Sequence, residues 1–236
     1  MLKYKVHTLI LFLFLLGSIN YINAQNNTLP LFGKVIYLDM GHGGSDPGAM
    51  YKDIMEKDIN LNIGKKLEKK LSDLGAIVYL TRYGDYDLSV TYTINNKRSD
   101  LSRRANLINK SQADLFLSIH LNAEETGVWQ GAQVFYNDKL KENKVIADLF
   151  QKYFKKKLNS KRKAKVDNSL YLLKRINQPG ILLELGFLSN ANDRYLLKQD
   201  SYQDKLTTII QNAIIEYFEN WLCYLFFLCY NDVVGW

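Results

Sequence analysis

Short apolar runs alternate with longer segments of helical periodicity along most of this 236-residue chain. The clearest helical segment is residues 57–74. Its apolar side chains recur four positions apart, as at Ile59, Ile63 and Leu67, and Gly75 follows it as expected at a helix end. Read in this way, the predicted strands are residues 34–38, 76–81, 115–119, 132–136, 169–173 and 181–185, and the predicted helices are residues 57–74, 99–109, 143–158 and 202–218. Residues 85–96 are polar without a clear period and are predicted to form a surface loop.

This alternation of strands and helices defines the fold class. Hydrophobic residues make up 47% of the chain and charged residues 23%, which is the balance of a globular protein and excludes a disordered one. A chain of this length suits one domain. We therefore predict a single α/β domain with a mainly parallel or mixed sheet that carries helices on both faces.

The first 25 residues have the composition of a targeting segment. Lys3 and Lys5 precede an apolar stretch at residues 8–16, and a more polar region with small residues follows as far as Ala24. We predict that residues 1–25 are a signal peptide or, as the alternative, an uncleaved N-terminal anchor. Either alternative makes the protein extracytoplasmic, secreted or membrane-anchored, and the anchor would bring it into contact with the membrane.

The only two cysteines, Cys223 and Cys229, lie in an apolar segment at the end of the chain. The rest of the chain therefore has neither a disulfide framework nor a thiolate metal site. The apolar run at residues 221–230 is shorter than the roughly 20 residues that span a bilayer. We interpret residues 221–236 as a packed or interfacial tail of unknown role.

The formal net charge of +7 is partly concentrated in residues 155–165. Solvated helix faces explain such charge, and the alternative is attraction to an anionic polymer, either nucleic acid or bacterial cell wall. Aromatic side chains interleaved with the basic residues would favour nucleic acid, and residues 155–165 contain none. We therefore expect no nucleic-acid partner.

Two of the three histidines stand directly beyond predicted strands. His42 follows the first strand and His120 the third, whereas His7 belongs to the targeting segment. A single buried histidine is most often held by a backbone carbonyl. Two histidines at the carboxyl ends of two strands can instead converge on one point, where sites form in such sheets.

Glu56 supplies a carboxylate where the glycine-rich loop after His42 ends and the next helix begins. An exposed glutamate at a helix start is commonly a partner of the helix dipole. Beside two imidazoles it becomes the natural third ligand, because two histidines and one carboxylate form a zinc site with one position open for water. The candidate metal ligands are therefore His42, Glu56 and His120, and the predicted cofactor is Zn²⁺.

Four glycines surround His42 in the segment "GHGGSDPG". Glycine lets the backbone adopt conformations that are closed to other residues and lets it approach a substrate closely. A phosphate-binding loop is the rival interpretation. It fails because the lysine and the serine or threonine that such a loop requires are missing after the last glycine.

Glu184 stands inside the apolar strand "ILLELGFLSN". A lone buried carboxylate is costly, so it is usually partnered or functional. Near a metal site, a glutamate within a strand is a candidate general base. We therefore predict Glu184 as the catalytic residue.

The segments "YLDMGHGGSDPGA", "MEKDINL", "LFLSIHLNA" and "ILLELGFLSN" together resemble the zinc-dependent N-acetylmuramoyl-L-alanine amidases, the amidase type 3 family. The resemblance implies that residues 34–220 form an amidase catalytic domain. Such a domain cleaves the amide between the lactyl group of N-acetylmuramic acid and the L-alanine of the stem peptide. The resemblance also implies that His42, Glu56 and His120 bind zinc. Glu184 matches the catalytic glutamate of the family.

Longer segments, such as "LSRRANLINKSQADLFLSIHLNAEETGVWQGAQVFY", look like the germination-specific amidases of endospore formers. That subgroup strips peptides from cortex peptidoglycan so that muramic δ-lactam can form, and a deacetylase completes the lactam. The resemblance thus implies peptidoglycan as the substrate, a muramic acid deacetylase acting on the product, and a location between the forespore membranes. Relatives usually carry proline where this chain has Met40; because Met40 is no ligand, the chemistry is unaffected although the turn loses stiffness.

Three other functions remain as alternatives to the amidase. A catalytically silent peptidoglycan-binding domain would be favoured by loss of Glu184 or of a metal ligand, and all four residues are present. A zinc peptidase acting on the stem peptide would release different products. A nucleic-acid binder is supported by charge alone.

Overall fold

The computed structural model describes residues 29–90 and 96–234, with those beyond residue 220 described by their backbone alone. The strands are β1 (Val35–Met40), β2 (Met50–Tyr51), β3 (Ile54–Met55), β4 (Ile77–Leu80), β5 (Leu115–Asn122), β6 (Gln133–Tyr136), β7 (Lys165–Val166) and β8 (Gly180–Phe187). The helices are α1 (Glu56–Ser72), α2 (Asn96–Ser111), α3 (Lys141–Leu158), α4 (Tyr171–Arg175), α5 (Ala191–Leu197) and α6 (Asp200–Val234).

Six of the strands form one sheet in the order β4-β1-β5-β8-β6-β7, and β2 and β3 form a separate antiparallel pair. Neighbouring strands among β4, β1, β5 and β8 are parallel, whereas β6 pairs with β8 in the antiparallel direction. The predicted single α/β domain with a mixed sheet is confirmed. The central strands β1, β5 and β8 all end at the same edge of the sheet, which is where sites form in such folds.

Alternate side chains of the central strands enter two separate hydrophobic cores. In β1, Ile36 and Leu38 pack in the larger core, which also contains side chains of α1, α3 and α6. Tyr37 and, in β5, Phe116 belong to the second core, which contains side chains of α2 and α4. Because successive residues of a strand face opposite sides, this division confirms that helices cover both faces of the sheet.

Met40, the last residue of β1, is fully buried against Gly64 in the middle of α1. A Cβ atom added to Gly64 would overlap the Met40 side chain. Glycine inside a helix costs about 1 kcal/mol relative to alanine, and here it allows β1 and α1 to approach closely. This contact fixes α1 against the sheet, and α1 begins with Glu56.

The prediction of a strand at residues 169–173 is wrong, because this part of the chain is a turn followed by the short helix α4. Leu172 and Leu173 are both buried in the second core, whereas a strand would direct two successive side chains to opposite faces. The sheet position beyond β6 is instead taken by β7, whose two residues are exposed. A short apolar run does not distinguish a strand from a helix by its periodicity.

Several other elements differ from the prediction. The β2–β3 hairpin and α5 were not predicted, and the side chain of Asn190 caps α5 by accepting hydrogen bonds from the backbone of Asn192 and Asp193. The last helix continues well past the predicted end at residue 218, into the segment interpreted as a tail. Within the described ranges, no helix combines the length and the apolar composition needed to cross a bilayer.

Two predictions fall wholly or partly outside the described residues. The predicted targeting segment, residues 1–25, lies outside them entirely. Of the predicted loop at residues 85–96, residues 91–95 lie outside them, and residues 85–90 contain neither helix nor strand, as predicted.

Candidate metal centre and active site

Three adjacent strands each bring one predicted site residue to the same edge of the sheet. β5 lies between β1 and β8. His42 follows β1, and His120 lies near the carboxyl end of β5. Glu184 is the register partner of His120 across β5 and β8. The order of the parallel strands therefore brings these three residues together, although they are far apart in the sequence.

Glu56 lies between the two imidazole rings. It is the first residue of α1 and is buried. Its Oε2 atom is 3.2 Å from His42 Nε2, and its Oε1 atom is 3.0 Å from His120 Nδ1. One ligand atom from each of the three residues lies within 4.8 Å of the others, so that a single metal ion could contact all three.

The surroundings of Glu56 favour its ionised form. Burial alone would raise the pKa of Glu56, but the hydrogen bonds and charges of His120 and His42 outweigh burial and lower the pKa well below its ordinary value. The backbone N–H groups of Ala49 and Leu121 also donate to its carboxylate, at 2.8 and 2.9 Å. The carboxylate is thus held in the charge state that binds a metal.

Asp46 orients the ring of His42. Its Oδ2 atom is 2.8 Å from His42 Nδ1, so that the other ring nitrogen, Nε2, is directed toward Glu56. A carboxylate on the far nitrogen of a metal-binding histidine fixes its tautomer and raises its basicity. The backbone N–H of Gly48 donates in turn to the other oxygen of Asp46, which ties the carboxylate to the loop.

Two glycines of this loop leave space for the site residues. A Cβ atom on Gly41 would overlap the ring of His120. A Cβ atom on Gly48, which has a φ of +68°, would lie 2.6 Å from Glu56 Oε2 and 2.6 Å from His42 Cδ2. Glycine is therefore required at these two positions by the close packing of the loop against the site residues, and the close approach to a substrate stays a prediction.

Two buried arginines hold the carbonyl groups of the same loop. Arg104 donates to the backbone oxygens of Met40 and His42, both at 2.7 Å. Arg82 donates to the backbone oxygens of Met40 and Gly41, at 3.0 and 3.1 Å. His42 has a φ of 64°, which is uncommon for a residue other than glycine. These hydrogen bonds stabilise the conformation that directs the His42 ring into the site.

Asp39 and Asp100 compensate the charge of Arg104. Asp39 Oδ1 is 2.9 Å from Arg104 Nη1, and Asp100 Oδ2 is 2.7 Å from Arg104 Nε. The hydroxyl of Ser118 donates to the other oxygen of Asp39 at 2.7 Å. Burial acts to raise the pKa of Asp39, but Arg104, His120 and the Ser118 hydroxyl together outweigh burial and lower the pKa overall. The buried ion pair is thus fully hydrogen-bonded, which is the condition under which such pairs are tolerated.

Glu184 lies beside the group of His42, Glu56 and His120, and its environment is different. Its Oε2 atom is buried and has no hydrogen-bond partner in the described part of the chain. Burial raises the pKa of Glu184 to about 7, a rise that His120 opposes and the charge of Glu56 reinforces. A carboxyl group with a pKa near neutrality can both accept and donate a proton at physiological pH.

Three residues that support the site were not predicted from the sequence. Asp46 is four positions after His42 in the glycine-rich loop, and this proximity was a usable signal. Arg82 stands two residues beyond β4 just as His42 stands two residues beyond β1, so its place at a strand end was also a signal. The sequence contained no signal for Arg104, because nothing in it distinguishes this residue from its exposed neighbour Arg103.

The mixed sheet brings together two imidazoles, one ionised carboxylate and one carboxyl group whose pKa is near 7. This arrangement is the one expected of a metal-assisted hydrolase. The comparison with protein families identifies which kind. The model for N-acetylmuramoyl-L-alanine amidases matches residues 36–216. The chain belongs to this family, and it is an N-acetylmuramoyl-L-alanine amidase, an enzyme that acts on peptidoglycan.

Individual relatives agree with the family assignment. The germination-specific N-acetylmuramoyl-L-alanine amidase of Bacillus subtilis is 42% identical over 214 residues, which cover 89% of this chain and 90% of the relative. The CwlD amidase of Clostridioides difficile, solved in complex with the GerS lipoprotein, is 38% identical with a TM-score of 0.75, covering 79% of this chain and 99% of that one. The catalytic domain of CwlV from Bacillus (Paenibacillus) polymyxa is 27% identical with a TM-score of 0.69, covering 79% and 98%. The predicted family is thereby confirmed, and so is the predicted resemblance to germination-specific amidases.

Proposed function

We propose that this amidase uses zinc to hydrolyse the bond between N-acetylmuramic acid and L-alanine in spore cortex peptidoglycan, which prepares the glycan for formation of muramic δ-lactam. One observation carries the proposal. The buried Oε2 atom of Glu184, which has no hydrogen-bond partner among the described residues, lies in the same site as three residues that could hold a metal ion.

The donor set suits zinc. His42, Glu56 and His120 would hold the ion, because imidazole nitrogens and carboxylate oxygens are typical zinc donors and three protein ligands leave one position open. Asp46 supplies the outer hydrogen bond that metal-binding histidines usually have. When bound, zinc makes water acidic near neutral pH and polarises the carbonyl of the scissile amide.

Glu184 carries out the proton transfers in this proposal. As a carboxylate it accepts a proton from the attacking water, and in the protonated form it donates that proton to the nitrogen of the departing L-alanine. A pKa of about 7 allows both steps. No covalent intermediate with the protein is required, because the only cysteines lie in the terminal segment and both histidines beyond the targeting segment are assigned to the metal.

The role in the spore cortex is supported by the 42% identity to the germination-specific amidase of Bacillus subtilis. We infer that the enzyme acts outside the cytoplasm, between the forespore membranes, and that residues 1–25 direct export or anchor the chain to a membrane. A muramic acid deacetylase would act on the product. The CwlD amidase forms a complex with a lipoprotein, and we extend this type of partner to the present chain.

Mass spectrometry of digested cortex peptidoglycan tests the proposed function. The expected products are stem peptides that begin with a free L-alanine amine and glycan that keeps the lactyl carboxylate, and a zinc chelator should prevent their formation. Cleavage inside the stem peptide would instead identify a zinc peptidase. Peptidoglycan that is bound but left intact would identify a catalytically silent binding domain.

A further inference from the structure

Arg162 lies between α3 and β7, in a segment that is fastened to the beginning of β6. The hydroxyl of Ser160 donates to the backbone oxygen of Ala132 at 2.6 Å, and the backbone N–H of Arg162 donates to the same hydroxyl oxygen at 3.2 Å. These hydrogen bonds place Arg162 beside the strand that neighbours β8. The arginine is therefore close in the fold to Glu184, although no step described so far uses it.

Gln133, the first residue of β6, holds the guanidinium group. It is the register partner of Glu184 across β6 and β8, so the two side chains stand on the same face of the sheet. The side-chain oxygen of Gln133 accepts hydrogen bonds from Nε and Nη2 of Arg162, at 3.0 and 2.6 Å. Its side-chain nitrogen donates to the backbone oxygen of Lys163 at 2.9 Å. Because each end of the buried amide has a matching partner, the amide has one orientation.

Two aromatic rings add contacts to the same guanidinium group. Its central carbon, Cζ, is 4.5 Å from the ring centre of Trp129 and 5.5 Å from that of Phe187. Trp129 lies in the loop after β5, and Phe187 ends β8. Both rings thus come from the part of the fold that carries His120 and Glu184. A guanidinium group held in this way loses little conformational freedom when it binds a ligand.

Arg162 forms no ion pair within the described residues. Arg104 has two carboxylate partners, Asp39 and Asp100, whereas the only side-chain acceptor for Arg162 there is the neutral amide of Gln133. Nη1 and the second N–H of Nη2 have no acceptor among those residues. Two parallel N–H groups on this edge match the two oxygens of a carboxylate.

We propose that Arg162, held by Gln133, forms a subsite that binds a free carboxylate of the stem peptide and makes the enzyme select acidic peptides. The inference rests on the proposed cleavage of the lactyl–alanine amide. In that substrate the lactyl carboxyl group is part of the scissile amide, so the free carboxylates belong to the peptide. Arg162 therefore binds the side of the substrate that leaves with the amine.

Two soluble muropeptides test this subsite, one with free peptide carboxylates and one with the same groups converted to primary amides. For the full wild-type chain with zinc, we expect kcat/KM to be about 10- to 100-fold higher on the acidic muropeptide, mainly through KM, as for a hydrogen bond to a charged group. Arg162→Met should bring this ratio close to one. Arg162→Lys keeps the positive charge but lacks the planar guanidinium group, and it should retain a small part of the preference. A ratio in Arg162→Met equal to that of the wild type would overturn the proposal.

Arg175→Met is the matched control. Arg175 also stacks on an aromatic ring, that of Tyr171 at 4.9 Å. Its backbone oxygen accepts from Asn109 near the end of α2, which places it at the sheet edge opposite Glu184. This variant should keep the wild-type ratio. The measured quantity is the ratio of the kcat/KM values of one variant on two muropeptides. A smaller folded fraction lowers both values equally and therefore leaves the ratio unchanged.

Calorimetric binding of the free stem peptide separates this inference from the proposed function. The wild type should bind the acidic peptide more tightly than its amide, and Arg162→Met should bind the two equally. If this difference is found while neither muropeptide is cleaved, the proposed function is wrong and the subsite remains supported. If the wild type cleaves both muropeptides and binds both peptides equally, the subsite is wrong and the proposed function remains supported.

Discussion

Glu56 and Glu184 are two buried carboxyl groups in one site, and their surroundings shift their pKa values in opposite directions. Burial alone would raise the pKa of Glu56, but the hydrogen bonds and charges of His120 and His42 lower it overall. Glu184 has a buried oxygen without a partner in the described residues, and burial raises its pKa to about 7. Pairs of titratable groups whose environments separate their pKa values indicate a division of roles. We assign metal binding to Glu56 and proton transfer to Glu184.

His120→Ala should lose most of its bound zinc, because the change removes one of three proposed ligands and the contact that His120 makes with Glu56. Elemental analysis after dialysis should find about one zinc ion per wild-type chain and far less in the variant. Added zinc should raise the Tm of the wild type and leave that of the variant unchanged, since a ligand stabilises only the state that binds it. Full zinc content in His120→Ala would show that the ligand assignment is wrong.

In the metal-free protein, the substitution Glu184→Gln should raise the free energy of unfolding by an amount that increases with pH. The folded-state pKa of Glu184 is about 7, above the ordinary value of 4.5, so the folded chain holds this proton more tightly than the unfolded chain. The stability associated with the protonated group is therefore present below about pH 4.5 and is lost as the pH rises toward about 7. Glutamine does not titrate, so the variant avoids this loss, which is at most about 3 kcal/mol. Urea unfolding at about pH 5 and about pH 8 in chelator measures the change, and an equal effect at both would contradict it.

The positions of the proposed metal ligands were easier to predict than those of the residues that support them. The convergence of His42 and His120 was predictable because each stands at the end of an apolar run that was interpreted as a buried strand, and the ends of neighbouring parallel strands meet. Arg104 was not predictable because its burial depends on Asp39, which is 65 positions away in the sequence and adjacent only in the fold.

At the scale of elements, the contact between β1 and α1 determines where Glu56 lies. Gly64→Ala should lower the free energy of unfolding by about 1–3 kcal/mol, because the added methyl group overlaps Met40. The energetic cost of this overlap should exceed the stabilisation of about 1 kcal/mol that alanine gives a helix relative to glycine. Met40→Ala should cost about 2–5 kcal/mol by leaving a cavity. Urea unfolding measures all of these changes.

The double variant Met40→Ala, Gly64→Ala completes this test. Its loss should be smaller than the sum of the two single losses, because the alanine methyl group occupies part of the cavity. Asn62→Ala is the control on the same helix, at an exposed position. It should be neutral or slightly stabilising. Strictly additive losses would exclude a direct contact between Met40 and Gly64.

Elements were predictable where apolar side chains recurred with regular spacing along one face of a long segment, as in α1. They were not predictable where the apolar run was short. The apolar residues Leu170, Leu172 and Leu173 satisfied a strand pattern, yet they pack on one core as a turn and a helix. β7 carried no signal because its residues are exposed and its pairing with β6 is a property of the tertiary fold. Local patterns therefore located five of the six strands of the sheet, including β4 at one edge, and missed only β7 at the other edge.

At the scale of the whole molecule, the net charge of +7 suits an anionic wall polymer. Lys155, Lys156 and Lys163 are exposed and line one concave surface beside α3. Changing these three lysines to glutamine should weaken binding to purified wall polymer at low salt and have little effect near 1 M salt, where the screening length is about 3 Å. Turnover of a small soluble muropeptide should be unchanged at both salt concentrations.

Three exposed lysines from separate parts of the chain provide the control: Lys65, Lys110 and Lys205. Their change to glutamine removes the same net charge without altering the concave surface. A smaller loss of wall binding in this control supports a local patch, whereas an equal loss assigns the effect to net charge alone. An equal loss of muropeptide turnover at low and high salt in the first variant would contradict the assignment of these lysines to binding.

The turnover of Glu184→Gln with zinc bound tests the central claim most directly. Glutamine keeps the shape of the side chain and removes the proton acceptor, so amide cleavage should fall by roughly 10²- to 10⁴-fold, the usual contribution of a general base. Zinc content, measured on the same sample, should equal that of the wild type, because Glu184 lies beside the ligand group without belonging to it. A Glu184→Gln enzyme that retains full zinc and cleaves the amide at a rate near that of the wild type would contradict the mechanism.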